Sequence, residues 1–326
     1  MEPRFTDLVR AAKKCLHQCL DLKPHENLLI VADTHQRRQV TDAFYTAAHA
    51  EGFGVQSIIY PTVESQREIP RTVIEALKAT DAALLIPTRS FLYTKGMSEV
   101  RAAPSCPRFL ISTDLNEETL LSVLKIDYAM HRLRCQDLAQ IWAKGKTVRI
   151  TSPEGTDLTM DIEGRAVLAH DGISCDPREE DDIPGGIAFA IPDEYSSEGV
   201  MVFDGSIAPP LGVLRSPVRC TVRGGKIVKI EGGEDARRFE AWLAGYQHPN
   251  SYYVVELGVG VNPTASLSGV PGPDESISGV IHLGIGDNTG FPGGRIVGPS
   301  HTDAMIMNGS MTVDGREIIR NAQFVY

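Results

Sequence analysis

Four short apolar runs in the first third of the chain, LLIVAD (28–33), VQSIIY (55–60), AALLIP (82–87) and RFLIST (108–113), constrain its fold more than any other feature. Each has the length and the β-branched or aliphatic content of a buried strand. Between them lie amphipathic stretches, among them VTDAFYTAAHAEG (40–52), closed by Gly52 as a C-terminal cap, and TVIEALKATD (72–81). Strands alternating with helices predict a parallel sheet covered on both faces, because parallel strands need crossovers and the crossover helices pack on the sheet. Residues 1–140 are therefore expected to form a Rossmann-like α/β domain. That architecture does not imply a nucleotide. The turn after LLIVAD reads THQRRQ, with no glycine to let the backbone approach a pyrophosphate. His35, Arg37 and Arg38 in that turn read as a solvated loop.

A helix is expected from about Leu115 to Lys144, with KGK (144–146) as the turn that leaves the first domain. Beyond it the texture changes. TVRITSPEGTDLTMDIEG (147–164) reads as a hairpin turning at Pro153, Glu154 and Gly155, and VRCTVRGGKIVKIEGG (218–233) as a second one pivoting on Gly224 and Gly225. GVMVFDGSI (199–207) reads as one strand and EDARRFEAWLAG (234–245) as the strongest helix of this half. The acidic run REEDDIPGG (178–186) lacks the spacing of a calcium loop and reads as solvated. Residues 141–326 are thus expected to be a β-rich α+β domain with long loops, which is where sites are commonly built.

Composition narrows the chemistry. With 326 residues and 42% hydrophobic content, each domain has enough apolar mass for its own core. A net charge of -10 without a basic run argues against a nucleic-acid partner and for a small-molecule or peptide substrate. The N-terminal stretch lacks the apolar core of a signal peptide, and no run of eighteen apolar residues occurs, so a cytoplasmic protein with no membrane span is expected. Six scattered cysteines read as reduced thiols, with Cys15 and Cys19 as core residues on one helix face. No nucleophile elbow or cysteine–histidine signature is present, so covalent catalysis ranks low.

Three of the nine histidines fall after residue 245 in glycine-rich surroundings: His248 in YQHPN, His282 in GVIHLGIGDN and His301 in PSHTDAM. His301 and Asp303 are two apart, so on an extended strand they leave the same face and can bind one cation. Imidazole nitrogen with carboxylate oxygen suits Fe(II), Zn, Mn or Co. Glu256, between Val254, Val255 and Leu257, must be paired or bound if that strand is buried. His248 reads from its position alone as a cap on the preceding helix.

The segments IPGGIAFAIPDEYSSEGVMVFDGSI (183–207), YYVVELGVGVNPTA (252–265), GVIHLGIGDN (279–288) and SHTDAMIMNGSMTVDGREIIRNAQF (300–324) together resemble the aminopeptidase T family of metallopeptidases. The superfamily so identified includes the iron-dependent 2,5-dihydroxypyridine 5,6-dioxygenases. For the peptidases, the resemblance implies a metal pair held by two glutamates, two histidines and an aspartate. Glu256, His282, His301 and Asp303 match four of these positions, while Ile187 stands where the earlier glutamate belongs. For the dioxygenases, it implies a single ion on His248, His301 and Asp303, with His282 and Glu256 as the nearby acid and base. The expectation is accordingly a mononuclear Fe(II) dioxygenase, a homo-oligomer acting with O2 on a dihydroxylated nitrogen heterocycle such as 2,5-dihydroxypyridine. A zinc or cobalt aminopeptidase is the alternative, and a member that binds a ligand without turning it over is a further one.

Overall fold

Strand β1 (Asn27–Asp33) divides its side chains between two cores: Leu28, Ile30 and Ala32 pack on one side, Leu29 and Val31 on the other. A strand can do this only inside a sheet covered on both faces. The first face is closed by α1 (Phe5–Lys14) and α2 (Arg38–Ala50), the second by α3 (Arg71–Leu77) and α4 (Lys95–Ala102), and α5 (Glu117–Ser122) returns to the first. With β2 (Gly54–Tyr60), β3 (Ala82–Leu85) and β4 (Arg108–Ile111), all pairings are parallel and the strand order is β2-β1-β3-β4. The α/β character read from the apolar runs is therefore the observed one. His35, Arg37 and Arg38 are exposed.

The computed structural model describes residues 4–65, 67–92 and 94–326. The chain divides into two units, Met1–Ala129 with His170–Gly185 and Met130–Ala169 with Gly186–Tyr326. The first unit closes at 129 and takes back residues 170–185. The reason is a fifth strand, Glu180–Asp182, that adds in parallel to β4. The middle of the acidic run is thus a strand, while Arg178 and Glu179 before it are exposed. Asp181 is buried and accepts the backbone N–H groups of Asp171, Gly172 and Asp182 at 3.0, 2.8 and 2.7 Å, so backbone donors supply what hydrophobic side chains supply elsewhere.

Most of α6 (Tyr128–Lys144) belongs to the second unit, and it begins after a break: the single helix expected over 115–144 is interrupted by a 3-10 turn, Val123–Lys125, and an extended Ile126. Then follow β5 (Thr147–Thr151), β6 (Asp157–Asp161) and β7 (Val167–His170); after β8 (Glu180–Asp182), the acidic strand of the first unit, come β9 (Ile187–Ala190), β10 (Glu198–Phe203), β11 (Ser206–Ala208) and β12 (Gly212–Val213). The hairpin β13 (Val218–Arg223) and β14 (Lys226–Gly232) leads into α7 (Glu234–Gly245). The remainder is β15 (Val254–Gly260), β16 (Ile281–Gly286), β17 (His301–Ile306), β18 (Ser310–Val313), β19 (Arg316–Arg320) and β20 (Gln323–Phe324). Residues 199–207, read as one strand, supply two in different sheets, because the chain turns at Asp204 and Gly205.

These strands form an eight-stranded sheet, β14-β13-β10-β6-β5-β18-β19-β20, and a seven-stranded sheet, β12-β11-β17-β16-β15-β9-β7. One core joins them, with Ile150, Leu158 and Phe203 from the first sheet meeting Leu257, Leu283 and Ala304 from the second, and α6 and α7 contributing Trp142 and Phe239. Only one face of the seven-stranded sheet is used in this core. None of the six cysteines is in a disulfide, and no described helix is long and apolar enough to cross a membrane.

One polar contact inside the first unit carries a test. Arg108 is buried in β4; its guanidinium forks onto Glu26 at 3.0 and 2.5 Å, and its Nε donates to the Leu20 carbonyl at 2.7 Å. The Arg108 hydrogen bonds, against the opposing effect of burial, hold the Glu26 carboxyl below its ordinary 4.5. Glu26→Gln leaves a buried cation without its counter-charge and should cost about 3 kcal/mol in urea unfolding at pH 7. Because the folded value lies below the unfolded one, this contribution is present above about pH 4.5 and fades as pH falls. The gap between wild type and variant should therefore narrow on acidification, and a gap independent of pH would contradict the assignment.

Candidate metal centre

The other face of the seven-stranded sheet carries the polar residues. In an antiparallel sheet, directly opposed residues point to the same side. Glu256 on β15 faces Gly284 on β16, which faces Asp303 on β17; Gly258 faces His282, and Gly286 faces His301. Glu256, His282, His301 and Asp303 therefore share one face, while Leu257, Leu283 and Ala304 between them point into the core. The two-residue spacing of His301 and Asp303 brings both to this surface.

Glycine makes the arrangement possible. A Cβ at Gly258 would stand 2.0 Å from two atoms of the His282 ring, and one at Gly284 would stand 2.6 Å from Glu256 Cβ and 3.0 Å from His301 Cε1. Each functional side chain thus lies over a neighbouring strand where no side chain stands. His282 Nε2 is 3.4 Å from Glu256 Oε1, and His301 Nε2 is 3.5 Å from Glu256 Oε2 and 3.4 Å from Asp303 Oδ1. One ligand atom each from Glu256, His282 and Asp303 lie within 4.8 Å of one another.

The electrostatics of this cluster call for a cation. His301 Nδ1 lies 2.7 Å from the Asp287 carbonyl oxygen, an acceptor only, so Nδ1 carries the hydrogen and Nε2 is the atom turned to the carboxylates. A lone pair on Nε2 facing two carboxylates is repulsive unless a proton or a metal ion sits among them. Burial opposes charge on His301, but Asp303 and Glu256 outweigh it and raise the imidazole well above its ordinary value. Burial also works against the Glu256 carboxylate, yet His282 and His301 hold it below the ordinary range. Asp303 Oδ1 and His282 Nδ1 are buried without a hydrogen-bond partner. The donor set, imidazole nitrogen and carboxylate oxygen with unsatisfied atoms, fits a first-row divalent ion.

His248 is placed differently. It is exposed, and its Nδ1 accepts the Asn250 N–H at 3.2 Å, so it opens the 3-10 turn Pro249–Tyr252 and does not close α7. The segment is nevertheless docked beside the loop that leads into β17, since Asn250 Nδ2 donates to the Val297 carbonyl at 2.8 Å.

That loop, between β16 and β17, carries residues the sequence reading did not single out. Asp287 supplies the carbonyl that orients His301, and its carboxylate accepts the Gly298 N–H at 2.7 Å. Phe291 packs edge-on against the His301 ring, with centroids 5.8 Å apart. Glu194, fully buried, holds the loop by accepting from Asn288 Nδ2 at 3.1 Å and from the Arg295 backbone N–H and Nε, each at 2.9 Å, with Arg165 also 3.0 Å away. An acidic residue followed by no motif, as in IPDEYSS, gives no sequence signal for such a role.

A family profile described as "NicX: 2,5-dihydroxypyridine 5,6-dioxygenase" matches residues 7–326. The 2,5-dihydroxypyridine 5,6-dioxygenase of Pseudomonas putida KT2440 is 22% identical over 255 residues, which cover 75% of this chain and 71% of that one. Among solved structures, 2,5-dihydroxypyridine dioxygenase from Pseudomonas putida KT2440 aligns with a TM-score of 0.87 at 18% identity, over 99% of this chain and 98% of that one. AmpT from Thermus thermophilus aligns with a TM-score of 0.69 at 14% identity, over 98% and 99%. At these identities the two structures speak for the fold. They agree with the α/β and β-rich architecture expected from the sequence.

Since Gly284 gives Glu256 and His301 their room, Gly284→Ala should weaken divalent metal binding about 10- to 100-fold, as loss of a supporting contact does at other sites. Gly272→Ala, where an added Cβ meets nothing within 4 Å, serves as control. Equilibrium dialysis against Co(II), with circular dichroism to confirm folding, measures this. Unchanged affinity in a folded Gly284→Ala protein would show that the cluster does not hold the ion.

Proposed function

The chain belongs to the family of 2,5-dihydroxypyridine 5,6-dioxygenases, and on that premise we propose that it is a mononuclear non-haem iron enzyme cleaving 2,5-dihydroxypyridine between ring carbons 5 and 6. Both atoms of O2 enter the product. The observation that carries the reading is the meeting of the His301 Nε2 lone pair with the Asp303 and Glu256 carboxylates. Fe(II) would be held by His301 and Asp303, with His248 as the third protein ligand from the segment docked beside the same loop. Two histidines and one carboxylate leave open positions for substrate and dioxygen. The iron, when bound, supplies the one-electron chemistry that lets triplet dioxygen react with a closed-shell ring.

The protein's own groups handle the proton. Removing a hydroxyl proton makes the ring electron-rich and ready to react with oxygen. Glu256, 3.5 Å from His301, and His282, whose Nε2 lies 3.4 Å from Glu256 Oε1, are the two groups placed to take up and pass on that proton. Burial of both groups keeps bulk water from competing for it.

A second reading has one observation in its favour: the compact group of Glu256, His282 and Asp303 could itself hold an ion, as the peptidase resemblance implies. Against a two-metal hydrolase stands Ile187, which lies in an apolar cluster with Phe189 and Ile191 and cannot bind a cation.

Protein prepared without oxygen should carry about one iron per chain, as expected of a single two-histidine, one-carboxylate set, and Asp303→Ala should lose it while remaining folded. Two zinc or cobalt ions per chain together with leucyl-peptide hydrolysis would overturn the dioxygenase assignment. The ligand set is decided by comparing His248→Ala with Glu256→Gln for metal content and for oxygen uptake with 2,5-dihydroxypyridine. Loss of iron in the His248 variant supports the set proposed. Iron retained there but lost in the Glu256 variant would transfer the site to Glu256, His282 and Asp303.

A further inference from the structure

The sheet face that bears the polar cluster changes character at β9. There Phe189 lies opposite Gly258, in the row that continues to His282, and Ile187 lies opposite Gly260. Both side chains are buried, and with Ile191 they form an apolar cluster separate from the main core of this unit. Phe291, from the loop between β16 and β17, links that cluster to the metal centre. Its ring meets Phe189 edge-on at 5.5 Å and His301 at 5.8 Å, and it is the half-buried member of the group.

The loop that presents Phe291 reads TGFPGG, a composition that by itself favours many conformations. The protein fixes it with buried charge. Besides its contacts with Asn288 and Arg295, Glu194 lies 3.0 Å from Arg165, whose Nη2 also donates to the Gly293 carbonyl at 3.3 Å. Asn288 Oδ1 accepts the Ile296 N–H at 2.9 Å, and the Phe291 carbonyl accepts the Gly294 N–H at 3.0 Å. Burying a carboxylate in this way is costly, and what it immobilises is the Asp287 carbonyl behind His301 and the Phe291 ring beside it.

We propose that Phe291, backed by Phe189 and Ile187, is the surface against which the substrate ring lies, so that this apolar wall selects a planar aromatic compound while the polar cluster receives its hydroxyl groups. The inference rests on the reading of the centre as an iron site for a hydroxylated ring. A wall on one side and charged ligands on the other match a molecule that is apolar on its faces and polar at its edge. A non-aromatic chelator would use the metal alone and gain nothing from the wall.

The test is anaerobic titration of the iron-loaded protein with 2,5-dihydroxypyridine and, separately, with acetohydroxamate, a bidentate ligand without an aromatic ring. Wild type, Phe291→Leu and Phe291→Tyr are compared at measured iron content. Phe291→Leu should weaken 2,5-dihydroxypyridine binding about tenfold, the scale of one lost aromatic contact, and leave acetohydroxamate binding and iron content unchanged. Phe291→Tyr should restore ring binding to near the wild-type value. Equal weakening of both ligands, no weakening of either, or a Tyr variant as poor as the Leu variant would overturn the proposal. If Phe291→Leu does not fold, Ile187→Val, which trims the backing, takes its place in the same comparison, with Phe291→Tyr as the conservative control. Failure of the underlying iron assignment would show in the wild-type arm, as protein that takes up no iron or does not bind 2,5-dihydroxypyridine.

Discussion

Positions 258 and 284 on the polar face of the seven-stranded sheet can hold nothing larger than hydrogen, and the rest of the site follows from that restriction. Opposed side chains on neighbouring strands start about 5 Å apart and normally stand side by side. Where one of the pair is glycine, the other can lie down over the gap. His282 covers Gly258, and Glu256 leans over Gly284 towards His301. Four titratable groups that would otherwise stand in parallel are thus turned towards one another. The same strands keep Leu257, Leu283 and Ala304 on the opposite face, where they belong to the main core of the unit. The chemistry is therefore mounted on strands whose position is set by packing on the far side.

Convergence of charge creates a second demand, for something to hold the groups against their own repulsion. Two carboxylates, each within 3.5 Å of the same imidazole nitrogen, are stable only with a shared cation. In its absence a proton on His301 serves, which is why that imidazole is raised well above its ordinary value despite burial. The Asp287 carbonyl keeps Nε2 facing the carboxylates in either state. Asp287 belongs to the loop that Glu194 fixes, so a buried glutamate in a distant part of the sequence helps set the direction of the His301 ring, the proposed metal ligand.

Much of this was legible from the residues. The apolar runs of the first unit located its four longer parallel strands, since a strand covered on both faces has to be apolar throughout. His301 and Asp303 were readable as a pair because strand periodicity is two, and Glu256 because a carboxylate among valines has to be partnered. What escaped depends on partners far away in the chain. The strand Glu180–Asp182 has no apolar signature, because the backbone N–H groups of its neighbours solvate Asp181. Glu194 and Arg295 are separated by a hundred residues and form a unit only after folding. Phe291 sits in a glycine-rich loop whose composition suggests freedom, while its fixation comes from charges that the loop itself does not contain. The break before α6 was missed because Ile126 and Asp127 fit a helical pattern locally.

Ile187 joins these strands of argument. A second metal close to the first would need a further carboxylate to offset the repulsion between two dications, and the resemblance to the peptidases places that carboxylate on β9. Here the position faces Gly260 and packs with Phe189 and Ile191. A glutamate in this place would bury a charge among hydrocarbon groups, which is unfavourable without a cation to meet it. An isoleucine does the reverse: it removes the reason for a second ion and extends an apolar surface from Phe189 towards Phe291. One substitution on one strand thus bears on metal count and substrate class together, since the space that would hold a second cation beside a peptide carbonyl becomes, in the proposed reading, the wall beside a flat ring.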